Sequence, residues 1–234
     1  LTQRPLQVGP VKSMIVQIAV AMHAEQNGMS DARAVGADRL ISALFGPTHL
    51  CRDDPGLEIY TQRLSTADRG ALQAEALGMA RAMHDTGLVS DYQVGFVQFI
   101  MASDYHDLLP QVLGLSSTGL DCLRCYQPLV NQLIKEAVHL STGEAILGIA
   151  LMLERGILYS PPIAPSLWRI LATEPSTACA LSLDAAFGPV IPPRERMIAG
   201  VVQMLGQPLG VGQGNNPTCQ SARALSMWAL NDPD

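Results

Sequence analysis

The stretch GVGQGNNPTCQSARALSMWAL, from Gly210 to Leu230, holds the side chains best suited to covalent chemistry. Asn216 before Pro217 is a natural helix entry. The asparagine side chain accepts from a free backbone amide, and proline loses nothing at a first helical position, where its missing N–H has no intrahelical partner. Cys219 then falls in the first turn, with Ala222, Leu225, Trp228 and Ala229 spaced as one apolar face. Unpaired amides and the positive end of the helix dipole favour thiolate over thiol, and the thiolate is the nucleophile. The preceding glycines allow close backbone approach to a ligand, and Gln213 offers an amide donor to a developing oxyanion. These residues describe acyl transfer through Cys219. The alternative is that Cys219 is a small, semi-buried packing residue, since free cysteine is among the most buried residue types.

The segment resembles the papain-like cysteine peptidases and the bacterial leader peptidases of similar motif. These carry a glutamine six positions before a cysteine that opens a helix of small and apolar residues, the separation of Gln213 and Cys219. The resemblance covers about the last twenty residues and implies Gln213 as oxyanion donor and Cys219 as nucleophile. The Gly or Ser usual after the nucleophile is Gln220 here. The family's base histidine lies downstream, whereas His23, His49, His84, His106 and His139 all lie upstream. A permuted arrangement, or a continuation of the chain, would have to supply the base.

Other groups suggest other chemistry. His84-Asp85, near a helix end before Gly87, resembles the central motif of the HD-domain metal phosphohydrolases, which are also all-α. His49 and either His106 or His139 would have to complete that metal site. The plainer reading is a histidine at the negative end of a helix dipole. Cys122-Leu-Arg-Cys125 has zinc or redox spacing but no second ligand pair, so a helical dithiol without metal is expected. Asp104, His106 and Asp107 serve equally as ligands or as a solvated cap. The Gly210–Gly214 loop lacks the Lys and Ser/Thr of a phosphate-binding loop. Trp168 and Trp228 sit among apolar residues and are expected in the core. No cofactor is implied.

The elements that must position these groups are helical. Val11, Ile15, Ile18, Ala19 and Met22 repeat on one face, with Gly28 as a stop and Ser30 as the next cap; Val35, Leu40, Ile41 and Leu44 then run to Gly46-Pro47. From Thr66, the stripe Leu72, Ala76, Met79, Ala80 and Met83 predicts a long helix ending at Gly87. A short apolar segment, SDYQVGFVQFIMAS, follows and is open to misreading as a strand. Ser141 and Glu144 have capping-box spacing ahead of AILGIALMLE, closed by Arg155-Gly156. Later prolines cut the chain into shorter helices. Alternating patterns are scarce and aromatic residues make up 5% of the chain, so an irregular all-α bundle of short and medium helices is expected. The Pro-rich Tyr159–Pro165 stretch suggests a main lobe over 1–158 and a second over 159–234.

The 234 residues are 48% hydrophobic, enough for a sizeable core. A formal net charge of −6 with 15 Lys and Arg argues against a nucleic-acid partner. The Ile198–Ala222 run is broken by Pro208, Pro217 and several glycines, so no membrane span is expected. The first residues lack a signal-peptide pattern, and the chain reads as excised from a longer protein. Five cysteines, an odd set, fit free thiols in a reduced, cytoplasmic protein. Two functions follow: part of a thiol-dependent acyl-transfer enzyme, of cysteine-peptidase or transglutaminase type, or a non-catalytic helical interaction domain that binds a peptide or protein. The HD-type phosphohydrolase reading with His84 and Asp85 stands behind both.

Overall fold

A computed structural model describes residues 8–24, 31–211 and 219–233. The described residues form twelve α-helices, three short 3-10 segments and no strand, the all-α architecture implied by the helical spacing of apolar residues. The chain packs as two compact units, the first ending at Val112 and the second beginning at Leu113. The Tyr159–Pro165 stretch lies inside the second unit. Gly28 and Ser30 fall outside the described residues.

In the first unit, α1 (Val8–Ala24) packs on α2 (Asp31–Phe45), and α2 packs on α4 (Arg69–Thr86). The helix α3 (Leu57–Thr66) lies against α5 (Asp91–Ala102), and α4 meets the short α6 (Leu109–Val112). The helix read as starting at Thr66 begins later, because Ala67 is extended and the Asp68 side chain accepts from the Ala71 amide at 2.8 Å. Such a cap is worth about 1 kcal/mol. Its expected stripe is borne out: Leu72, Ala76, Met79, Ala80 and Met83 are all buried. Gly87 ends the helix at φ 72, a left-handed conformation that costs a Cβ-bearing residue more than glycine. The apolar segment after it is α5, capped by Ser90, whose hydroxyl accepts from the Gln93 amide at 3.0 Å. On α1, Ile15 is buried with Leu44 and Leu88, but Ile18 is exposed.

The second unit is built around α8 (Ala145–Glu154), in which eight residues are buried: Ala145 to Ala150, Met152 and Leu153. A helix that is apolar all round is stable only when covered all round. It packs against α7 (Ser117–Ala137) and α11 (Pro193–Gly206). The α7 helix is kinked at Tyr126 (φ −118, ψ 22). Pro128 offers no amide to the carbonyl of Arg124, and its ring presses on that carbonyl. The remaining helices are α9 (Ile163–Leu171), α10 (Thr177–Phe187) and α12 (Cys219–Asn231).

Two expectations are corrected here. Ser141 and Glu144 form no capping box: α8 begins at Ala145 and the Glu144 side chain makes no cap hydrogen bond. Thr142 closes the turn instead, donating to the Ala137 carbonyl at 2.8 Å and accepting from the His139 amide at 3.2 Å. The tryptophans are not core residues, since Trp168 is 46% and Trp228 63% exposed. In α9 the buried row is Ile163, Ala164, Leu167 and Leu171, and Trp168 stands at its flank. In α12, which packs on α11 and the turn at Pro208–Gly210, Ala229 is the buried residue.

The α8–α11 crossing depends on glycine. A Cβ on Gly148 would sit 2.8 Å from the Gln203 Cα, and a Cβ on Gly206 would overlap the Gly148 carbonyl. Gly200, on the same helix α11, has nothing near the place of a Cβ. In urea denaturation, Gly206→Ala is therefore expected to cost about 2 kcal/mol or more through overpacking. Gly200→Ala is expected to gain up to about 1 kcal/mol from helix propensity.

Candidate functional site

Cys219 is the first residue of α12 and its side chain is exposed, which removes the semi-buried packing reading. Gln213, Asn216 and Pro217 lie outside the described residues, so the oxyanion arrangement falls there too. His49, His84 and His106 belong to the first unit, and His139 to the second. His139 is engaged where α7 meets α11, its Nε2 3.0 Å from the Glu195 carboxylate and 3.2 Å from the Glu136 carbonyl oxygen. Among the described side chains, none is hydrogen-bonded to the Cys219 thiol.

The other polar groups are held in local contacts. Asp85 pairs with Arg39 at 3.3 Å, with both side chains exposed, and Asp107 pairs with Arg69. Among the described residues, no three His, Cys, Asp or Glu side chains gather as a metal site, so His84 and Asp85 are not joined there by further ligands. All five cysteines are unpaired. Cys122 is buried while Cys125 is exposed and accepts from the Tyr159 hydroxyl at 3.6 Å. Burial, reinforced by the neighbouring Cys125, pushes the Cys122 thiol from 9.0 up to about 11.

The polar centre of the first unit was not read from the sequence. Glu75, 2% exposed, lies on the buried face of α4. Its Oε1 accepts from Thr48 Oγ1 at 2.5 Å and from the Tyr60 hydroxyl at 2.7 Å. Thr48 spends its proton on Glu75, so the Cys51 thiol, 2.9 Å away, donates to the Thr48 oxygen. Burial raises the titration of both Cys51 and Tyr60, with the Glu75 charge adding to each, so thiol and phenol stay protonated. The Tyr60 ring meets Tyr92 edge-on at 5.0 Å. The Tyr92 hydroxyl donates to Asp54 at 2.5 Å and accepts from the Gly56 amide at 2.9 Å. Burial, then the Asp54 bond, pushes this phenol up to about 12. Asp53 and Asp54 both adopt left-handed backbone, at φ 68 and 48, where Asp is better tolerated than most residues. The available signal was Glu75 itself, a carboxylate falling between Leu72 and Ala76 in a buried stripe.

No protein family, curated protein or solved structure matches this chain. The candidate sites therefore stand on their own geometry.

Two measurements check these assignments. Tyr60→Phe is expected to cost about 1 kcal/mol through one lost hydrogen bond, and Glu75→Ala about 3 kcal/mol, since it strands the buried Tyr60 hydroxyl and the half-buried Thr48 hydroxyl; both are read by urea denaturation. For Cys122, the folded chain holds its proton more tightly than the unfolded chain. Its contribution is complete below about pH 9 and is lost as pH rises toward about 11. The stability difference between wild type and Cys122→Ala is expected to shrink across that window.

Proposed function

We propose that this chain is a non-catalytic helical interaction domain that associates through α10, with the same helix of a second copy as partner. The observation that carries this reading is a contrast between two helices that each carry a single charged residue. The sequence of α10, TACALSLDAAF, contains one charged residue, Asp184, yet none of its residues is buried. Leu181 is 65% exposed, Phe187 50% and Val190, just beyond the helix, 74%. The more apolar α8 is enclosed by its own unit. A helix with so little charge gains by being covered, and an exposed apolar side chain among small residues offers a contact point.

The occupant is argued from the face itself. Ala178, Ser182 and Ala185 repeat at helical spacing beside Leu181, and small residues let two helices approach closely. A two-fold pairing sets this uncharged face against an identical one and needs no second gene product. Five unpaired cysteines support a reducing compartment such as the cytoplasm. Among the described residues no helix is long and apolar enough to cross a membrane.

Sedimentation equilibrium tests the reading. The native chain is expected to rise from monomer to dimer mass between low micromolar and near-millimolar concentration. Leu181→Glu is expected to remain monomeric with unchanged helical circular dichroism. A native chain that stays monomeric throughout, or a dimer indifferent to Leu181→Glu, overturns the assignment.

A second reading, thiol-dependent acyl transfer with Cys219 as nucleophile, Gln213 as oxyanion donor and a histidine base, is supported by one observation. Cys219 is exposed at the start of α12, beside the backbone amides a helix start leaves unpaired. Cys125 is also exposed and lies away from a helix start, so it serves as the internal reference. Under this reading, iodoacetamide labels Cys219 at least tenfold faster than Cys125 in the native protein. Equal rates at the two thiols would mark Cys219 as an ordinary surface residue.

A further inference from the structure

We infer that the first unit contains a binding site for a small organic cation, a protonated amine carried on an apolar body. The site is an open cavity of about 590 Å³ bounded by α1, α2, the loop before α3 and the start of α5. That volume falls within the usual range for small-molecule pockets, roughly 300–1,000 Å³. The cavity is lined by residues of the first unit, whereas α10 and Cys219 belong to the second.

Its walls divide by chemistry. Val16, Leu44, Phe45 and Leu57 supply the apolar side. Ser13, Gln17, Asp54, Asp91 and Tyr92 supply the polar side; Asp91 is already engaged by another group, so Asp54 carries the charge offered to a ligand. A carboxylate at such a wall attracts cations and repels carboxylates and phosphates. The apolar side removes hydrocarbon from water, which a bare metal ion cannot exploit.

Asp54 is the residue that would meet the ammonium group. One carboxylate oxygen accepts from Tyr92 at 2.5 Å, and Tyr92 is itself anchored by the Gly56 amide at 2.9 Å. The side chain is thus fixed in direction, while the residue stays exposed to an incoming ligand. A carboxylate already held in place loses little freedom on binding, which favours affinity. The Tyr92 hydroxyl has its proton and one lone pair committed, so its part is to orient Asp54 and not to donate to the ligand.

The test is titration calorimetry of the full chain with benzylamine, against benzyl alcohol and benzoate as neutral and anionic analogues of the same shape. Benzylamine is expected to bind at least tenfold more tightly than benzyl alcohol, with no detectable binding of benzoate. Asp54→Asn keeps an acceptor for Tyr92 and tolerates the left-handed backbone, so it removes charge with little change of shape. It is expected to bring benzylamine down to the level of the alcohol while leaving the thermal midpoint unchanged. Val16→Trp, at an exposed position of the cavity wall, is expected to abolish binding of both molecules by filling the space. Absence of benzylamine binding, equal binding of amine and alcohol, or benzylamine binding unaffected by either variant overturns the inference.

Discussion

A carboxylate buried to 2% exposure needs hydrogen bonds strong enough to replace water, and the first unit is arranged to provide them for Glu75. Thr48 arrives from the turn after α2 and Tyr60 from α3, so one carboxylate oxygen ties three segments together. The consequences reach further. Thr48 becomes the acceptor for the Cys51 thiol, which fixes the loop that carries Asp53 and Asp54 through left-handed backbone. Tyr60 supports the Tyr92 ring, and Tyr92 in turn holds Asp54 at the cavity wall. Removing the carboxylate would strand both donors, and so unsettle the loop as well as the helix that bears it.

The second unit rests on a different constraint, the approach of two backbones. Gly148 and Gly206 let α8 and α11 cross at a distance no Cβ would permit, and this enclosure makes α8 stable despite carrying almost no polar side chain. The N-terminus of α7 is held from the same helix, since the Glu154 carboxylate accepts both the amide and the hydroxyl of Ser116 at 2.6 Å. Arg194 and Glu136, 2.6 Å apart, fasten α11 to α7 at a half-buried position. The apolar side chains of α10 stay outside that interior, and they carry the proposal of association between copies.

Cysteine chemistry in this chain follows exposure more than sequence spacing. Cys51 and Cys122 are buried thiols held protonated by their surroundings. Cys125, close to Cys122 in sequence, is exposed, so the two thiols of that short motif occupy unlike environments. Cys219 meets solvent at a helix start, the arrangement its sequence context implied, but no described side chain is hydrogen-bonded to it as a base.

Local interactions were legible in the sequence. The stripe from Leu72 to Met83, the glycine stop at Gly87 and the proline breaks of the later chain are set by contacts within a few residues, so spacing and residue type suffice to find them. The Ser141–Glu144 pattern failed because Thr142 offered the turn a better partner in Ala137 and His139. Trp168 and Trp228 failed because an apolar residue is buried by whatever its helix face meets, and these faces meet solvent. The Glu75 node joins residues 15 and 27 positions apart, and the Tyr92–Asp54 bond spans 38. The sequence by itself therefore determined that the chain is helical and where α2, α4 and α8 end. Tertiary structure alone decided which charged residue is buried, which apolar helix remains uncovered and where a cavity opens, because each depends on which distant segments come into contact.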